Sequence, residues 1–180
     1  MRTISLDLLK YLPSKAIPAL IGLISIPIYL NYLSQEQYGS YIIILTITSM
    51  ISGLFSSWVG SVSLRYYFTY GYEKLNNYLK SFVIISIISG TSVWLILYIF
   101  FDFDVNRDYF FIVPIWYFIF CLFEYKVIWF RAANKPVSFG IALSLRSILS
   151  LLVIIAIFSN GHVEGKYIFY GQSIAMLAVL

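Results

Sequence analysis

Six apolar stretches, at residues 16–33, 40–63, 79–100, 109–130, 139–158 and 167–180, occupy most of this 180-residue chain, and only short polar clusters separate them. A helix that crosses a bilayer needs about 20 predominantly apolar residues, and the first five stretches meet or approach that length. Charged residues are 11% of the chain, against about 25% in a soluble domain. With 61% of the residues hydrophobic, no water-soluble fold of this size could bury them all. The expected architecture is an all-α, polytopic transmembrane helix bundle of about six spans with almost no extramembrane domain. The sixth stretch ends at Leu180, and about 21 Å of helix does not cross a core of roughly 30 Å. The chain therefore reads as the first part of a longer one, truncated at its C-terminus.

The breaks are turn-like in composition. They are Ser34-Gln35-Glu36-Gln37, the segment from Arg65 to Asn77, Asp102 to Asp108, Arg131-Ala132-Ala133-Asn134-Lys135-Pro136, and Ser159 to Lys166. Orientation follows from the cations, because Lys and Arg near span ends are retained on the cytoplasmic side. With the N-terminus inside, the inner segments hold Arg2, Lys10, Lys15, Arg65, Lys74, Lys80, Arg131 and Lys135, while the outer ones hold only Arg107 and Lys166. The expected location is the cytoplasmic (inner) membrane, multi-pass, with a cytoplasmic N-terminus. The net charge of +4 is then a topology signal and not a nucleic-acid footprint.

Few residues could carry chemistry. A single cysteine, Cys121, and a single histidine, His162, exclude an internal disulfide and a Cys/His zinc site. Phosphate-loop and dinucleotide signatures are absent, and His162 has no Asp within the next few residues. The chain does not read as an enzyme, and it calls for no metal or cofactor. Cys121 falls mid-bilayer, where a small buried apolar role suits it. The first apolar run lacks a small-x-small cleavage site and contains Pro18 and Pro27, so it is not a cleaved signal peptide. Ahead of it, Ile4, Leu8 and Tyr11 or Leu12 have the spacing of a short helix lying on the inner surface.

Ionisable residues within spans are costly in lipid and face a cavity or a partner. Glu124 and Arg146 fall about 9 to 10 Å from the inner ends of spans four and five. Their equal depth makes them either an ion pair or direct substrate contacts. Lys126 lies shallower, where its stem can reach the headgroups. Lys15 and Arg65 stand at the inner ends of spans one and two, where lipid phosphate is the ordinary anchor. Yet Lys15, Arg65, Lys126, Arg131 and Arg146 all lie on the cytoplasmic half, and a bundle that turned several of them inward would form a cationic vestibule suited to a diphosphate. In span two, Ser52, Ser56 and Gly60 form one small-residue row and Gly53, Ser57 and Ser61 another, which fits close helix packing or a polar cavity wall. Trp58, Trp94, Trp116 and Trp129 fall near span ends and read as interface anchors.

Particular segments resemble a known family. Tyr29-Leu30-Asn31-Tyr32-Leu33-Ser34-Gln35-Glu36-Gln37-Tyr38-Gly39 resembles the end of the first span and first outer loop of the polysaccharide biosynthesis flippases, and Gly60-Ser61-Val62-Ser63-Leu64-Arg65-Tyr66-Tyr67 is similar to the close of their second span. Phe130-Arg131-Ala132-Ala133-Asn134-Lys135 looks like their turn between spans four and five. The family belongs to the multidrug, oligosaccharidyl-lipid and polysaccharide exporter superfamily. The resemblance implies the N-terminal half of a two-lobed transporter that moves a lipid-linked (polyprenyl diphosphate) oligosaccharide across the membrane for surface polysaccharide or O-antigen biosynthesis. Its partners would be that oligosaccharide, membrane lipids and a missing C-terminal lobe, since a two-lobed cavity needs both walls. On this reading Arg65 and Lys15, with Arg146 or Lys126 beside them, hold the diphosphate, and Glu124 and Arg146 form a structural or coupling ion pair. The alternatives are a cation-coupled drug exporter of the same superfamily, whose usual embedded acid in the first helix is absent here, and a non-functional fragment or structural membrane subunit.

Overall fold

The computed structural model describes the backbone of residues 2–100 and 108–180 and, within them, side chains other than those at 2–11, 55–60, 63–64, 66–76, 78–79, 97–98, 100 and 108. Every regular element among the described residues is helical: α1 (Arg2–Tyr32), α2 (Gln35–Phe100), α3 (Asp108–Ala132), α4 (Pro136–Ser159) and α5 (Lys166–Val179). Leu12–Tyr32, Tyr109–Ala132 and Pro136–Ser159 are each long and apolar enough to cross a membrane, and Lys80–Ile96 is a shorter apolar helical stretch. The chain is a helical membrane protein. The acidic connection from Asp102 to Arg107 lies outside the described residues, as do the side chains of Ser56, Ser57, Trp58 and Gly60.

Local chemistry accounts for the helix ends. Ser34 caps α2 in a reciprocal box, in which the Gln37 N–H donates to Ser34 Oγ at 3.3 Å and the Ser34 N–H donates to Gln37 Oε1 at 3.4 Å. At the other end of the bundle α3 closes in a Schellman turn. Asn134 adopts the left-handed conformation at φ 53°, the Lys135 N–H donates to the Phe130 carbonyl at 2.9 Å, and the Asn134 N–H donates to that of Arg131 at 3.1 Å. Pro136 then opens α4 at a position that needs no N–H donor. After α4, Gly161 supplies a second left-handed residue at φ 84°.

Two helices run on where the sequence suggests an interruption. α1 is continuous from Arg2, so residues 3–12 extend the first span and do not form a separate helix. α2 is helical through Arg65–Asn77, where a loop is expected. That segment has no proline and a single glycine, Gly71, so its polar residues mark where apolar burial ends and not where helix ends. Its path still turns back. Thr48 and Ile51 from the first half of α2 line one small gap with Gly90, Thr91 and Trp94 from the second half and Val113, Pro114 and Tyr117 of α3. On a straight helix Thr48 and Gly90 would stand roughly 60 Å apart. The direction therefore reverses between them, and both halves lie against α3.

Among the described residues the helices pack in the order α1, α4, α5, α3, α2, with only a slight α1–α2 contact to close the ring. Where they meet, rings from all five interlock. Phe169 of α5, fully buried, sits edge-on to Tyr41, Tyr109 and Trp116 at 5.2–6.1 Å, and Tyr29 packs edge-on against both Tyr41 and Phe158. Trp94 and Trp116 belong to this buried core, which corrects the anchor reading for both, and the indole N–H of each is buried without a hydrogen-bond partner among the described residues. Trp129 is half-buried, with Lys135 over its ring at 4.8 Å. Cys121 is buried. Outward faces are apolar: Ile141, Leu145, Ile148 and Leu152 on α4, and Phe111, Ile115 and Phe118 on α3, recur at helical spacing and are exposed, as faces suited to lipid would be.

Close helix approach depends on glycine at particular seams. A Cβ on Gly171 would collide with Ile154 of α4, and one on Gly90 would collide with the Tyr117 ring, whereas one on Gly53 would meet open space. Replacing Gly171 by Leu should lower thermal stability in detergent by about 1–3 kcal/mol or more through overpacking. Gly53→Ala, which removes helix-interior glycine without a clash, should leave the protein as stable or raise it by up to about 1 kcal/mol; equal losses from both would show that the α4–α5 seam is not tight. In a Cys121→Ala background, a cysteine replacing His162 should react with an impermeant maleimide from outside the cell, and one replacing Asn134 only after the membrane is opened. The reverse pattern would invert the orientation.

Candidate functional site

Because α1 packs on α4 but barely touches α2, a gap opens between them. It is a cavity of about 530 Å³, within the roughly 300–1,000 Å³ typical of small-molecule sites. Its rim at one end, the inner end on the expected orientation, carries Ser14 and Lys15 of α1. The middle is walled by Pro18 and Gly22 of α1 and by Leu143, Arg146, Ser147 and Ser150 of α4, and the outer part by Ser25, Tyr29, Tyr38, Tyr41 and Gln172. Pro18 and Pro27 each remove an N–H from the α1 hydrogen-bond ladder, which loosens the helix beside the cavity.

Arg146 is the central feature. It stands ten residues into α4, about 15 Å from the helix start, and is therefore deeper than counting from the edge of the apolar stretch suggests. Its guanidinium lies over the rings of Phe123 at 4.9 Å and Phe120 at 5.4 Å, a stacking that Arg makes well and Lys poorly. Arg146 Nη1 is 3.8 Å from Glu124 Oε1, with the two side chains 23% and 32% exposed. Glu124 also lies within electrostatic reach of Lys15 and Arg131, so one acid faces three cations. A guanidinium offers five N–H donors, and Arg146, whose contact to Glu124 is long, also lines the cavity. The outer wall is tied together by Gln172, whose Nε2 donates to the Tyr41 hydroxyl at 3.1 Å across α5 and α2.

Of the residues assigned to substrate from the sequence, Lys15 and Arg146 share this cavity. Lys126 is turned the other way: its Nζ donates to the carbonyls of Val179, at 2.9 Å, and Leu180, beside a shallow apolar hollow with Leu122, Tyr125 and Trp129. Arg65 is exposed on α2 and does not line the cavity. Arg131 is occupied over Phe139 at 5.7 Å. The sequence reading missed the polar outer wall, Tyr29, Tyr38, Tyr41 and Gln172, together with Ser147 and Ser150. A signal was present, since Ser144, Ser147 and Ser150 recur every three residues beside Arg146 in the most apolar helix of the bundle.

Comparison with protein-family models, with curated proteins and with solved structures finds no match to this chain. A double-mutant cycle on thermal unfolding with Glu124→Gln and Arg146→Gln should give a coupling energy of about 1 kcal/mol, as expected for a partly exposed pair. A coupling near zero would mean that the two side chains do not hold each other.

Proposed function

We propose that this chain forms one lobe of a flippase that carries a polyprenyl diphosphate-linked oligosaccharide across the cytoplasmic membrane for surface polysaccharide biosynthesis, facing a complementary second lobe. The observation that carries the proposal is the cavity lined by Lys15 and Arg146. A guanidinium fixed by two aromatic rings, with donors left over and a lysine at the rim below it, is a fitting receptor for two linked phosphates. The segment resemblances at residues 29–39, 60–67 and 130–135 point to the same family. The cavity is also walled in part by α1, an apolar helix long enough to cross a membrane, beside which a prenyl tail would stay in the bilayer while the headgroup enters. The N-terminus is cytoplasmic on this reading, so the cationic rim meets the substrate on the side where it is assembled.

Catalysis in the chemical sense is not involved. The lobe supplies an anion receptor whose occupancy shifts the balance between inward- and outward-facing states, which requires differential contacts in the two. Glu124 neutralises part of the charge on Arg146 while the site is empty, and the diphosphate replaces that interaction when it arrives.

In the intact transporter, at matched membrane abundance, Arg146→Ala should reduce surface glycan at least tenfold and Lys15→Ala several-fold. Arg146→Lys should recover only part of the activity, because an ammonium neither forks to two phosphate oxygens nor stacks on Phe120 and Phe123. Export unchanged by Arg146→Ala would remove the diphosphate receptor and the proposal with it.

A further inference from the structure

The cavity changes chemical character along its length. Its inner part carries the cations, while in the outer part Tyr29, Tyr38, Tyr41 and Gln172 are all uncharged and all bear a hydroxyl or an amide. We infer that this outer part is a subsite for a neutral, hydroxyl-rich ring, the first sugar beyond the diphosphate, and that it discriminates against an acidic sugar. The inference rests on the flippase reading above and adds to it a residue set and a substrate class.

Three observations support it. First, Gln172 has one amide group committed: Nε2 donates to the Tyr41 hydroxyl at 3.1 Å, while Oε1 is buried with no hydrogen-bond partner. A buried polar atom without a partner is uncommon and carries a penalty. Gln172 lines the cavity, so a ligand donor that reached Oε1 would satisfy it while Nε2 keeps its bond to Tyr41. Second, the Tyr41 oxygen accepts from Gln172 and so keeps its own O–H to give. A ligand with adjacent hydroxyls, each a donor and an acceptor, matches this adjacent acceptor and donor; a bare hydrocarbon or a planar cation does not. Third, Tyr29 stands edge-on to Tyr41 at 6.2 Å and Tyr38 is inclined to it at the same distance. This packing holds the rings in place, so the half-buried Tyr38 offers a fixed apolar surface for the C–H face of a sugar.

The discrimination follows from charge. Arg146 lies close enough to Tyr41 to interact with it electrostatically, but its remaining donors are directed to the diphosphate. A carboxylate on the sugar would then sit among tyrosine hydroxyls and an amide carbonyl with no counter-ion of its own, which is costly away from water.

The test uses the chain in lipid nanodiscs and three probes: N-acetylglucosamine, glucuronate and inorganic pyrophosphate. Saturation-transfer NMR reads the sugars and phosphorus line broadening reads pyrophosphate. With pyrophosphate saturating the cationic part, so that Arg146 and Lys15 are not open to a carboxylate, N-acetylglucosamine should bind at least tenfold more tightly than glucuronate. Gln172→Leu and Tyr41→Phe should each weaken it at least tenfold while pyrophosphate binding stays within twofold. Tyr41→Phe keeps the ring and hence the aromatic packing, so it decides the matter if the leucine variant fails to fold. No saturation of the neutral sugar, equal binding of glucuronate, or a sugar affinity unmoved by Tyr41→Phe would each overturn the subsite while leaving the diphosphate receptor standing. Sugar binding that depends on Tyr41 without any pyrophosphate binding would support the subsite and defeat the flippase reading instead.

Discussion

The interlock of aromatic rings around Phe169 determines where everything else in the bundle can be. In lipid there is little hydrophobic force to press one helix on another, so association relies on close packing and polar contacts. Phe169 meets Tyr41, Tyr109 and Trp116 edge-on, and Tyr41 passes the contact to Tyr29 and from there to Phe158. Each such pair contributes about 0.5–1.5 kcal/mol beyond its buried area. More important is geometry: the rings fix α1, α2, α3, α4 and α5 relative to one another at their outer ends. Among the described residues no comparable interlock joins α1 to α2 away from that end, and the cavity lies between them. The space for a ligand is thus a direct product of where the rings stop.

Charge placement in this bundle obeys the same logic. An arginine in the interior of a membrane protein is tolerated where it has a partner and water. Arg146 has Glu124 at 3.8 Å, two ring faces beneath it and an open cavity before it. Lys126, by contrast, is engaged by the carbonyls of Val179 and Leu180, and Arg131 and Lys135 are settled over Phe139 and Trp129. The basic residues toward the Lys15 end of the bundle therefore divide into those already occupied by the protein and those lining the cavity, a division that a count of positive charge along the sequence cannot make.

How much was legible beforehand depended on whether the information was local. The helical class and the polar breaks at Ser34–Gln37, Arg131–Pro136 and Ser159–Lys166 could be read from composition, and two of those breaks carry explicit end signals: the serine and glutamine of a capping box, and an asparagine able to adopt φ 53° just before a proline. The segment Arg65–Asn77 misled because polarity tells where a chain leaves the apolar layer, and helix can continue past that point. Trp94 and Trp116 misled for a related reason, since a tryptophan near a span end suits either a headgroup or a neighbouring helix, and only the packing of α2 and α3 decides. The cavity wall was the least legible part. Tyr41 and Gln172 lie 131 positions apart, and nothing about either alone announces the other.

This last point bears on why the polar and cationic parts of the cavity lie together. A guanidinium deep in a bundle needs water near it, and water needs a polar wall. Tyr29, Tyr38, Tyr41, Gln172 and the serines of α4 supply such a wall on the side of Arg146 away from its rings. Were those side chains aliphatic, the gap would be dry, the arginine would be bound only to Glu124, and the pair would act as a fixed bolt between α3 and α4. With the wall polar, the same pair can exchange partners at small energetic difference. The tyrosines and the glutamine thus make the interior charge tolerable, and on the proposed function they would also keep it available to an incoming anion.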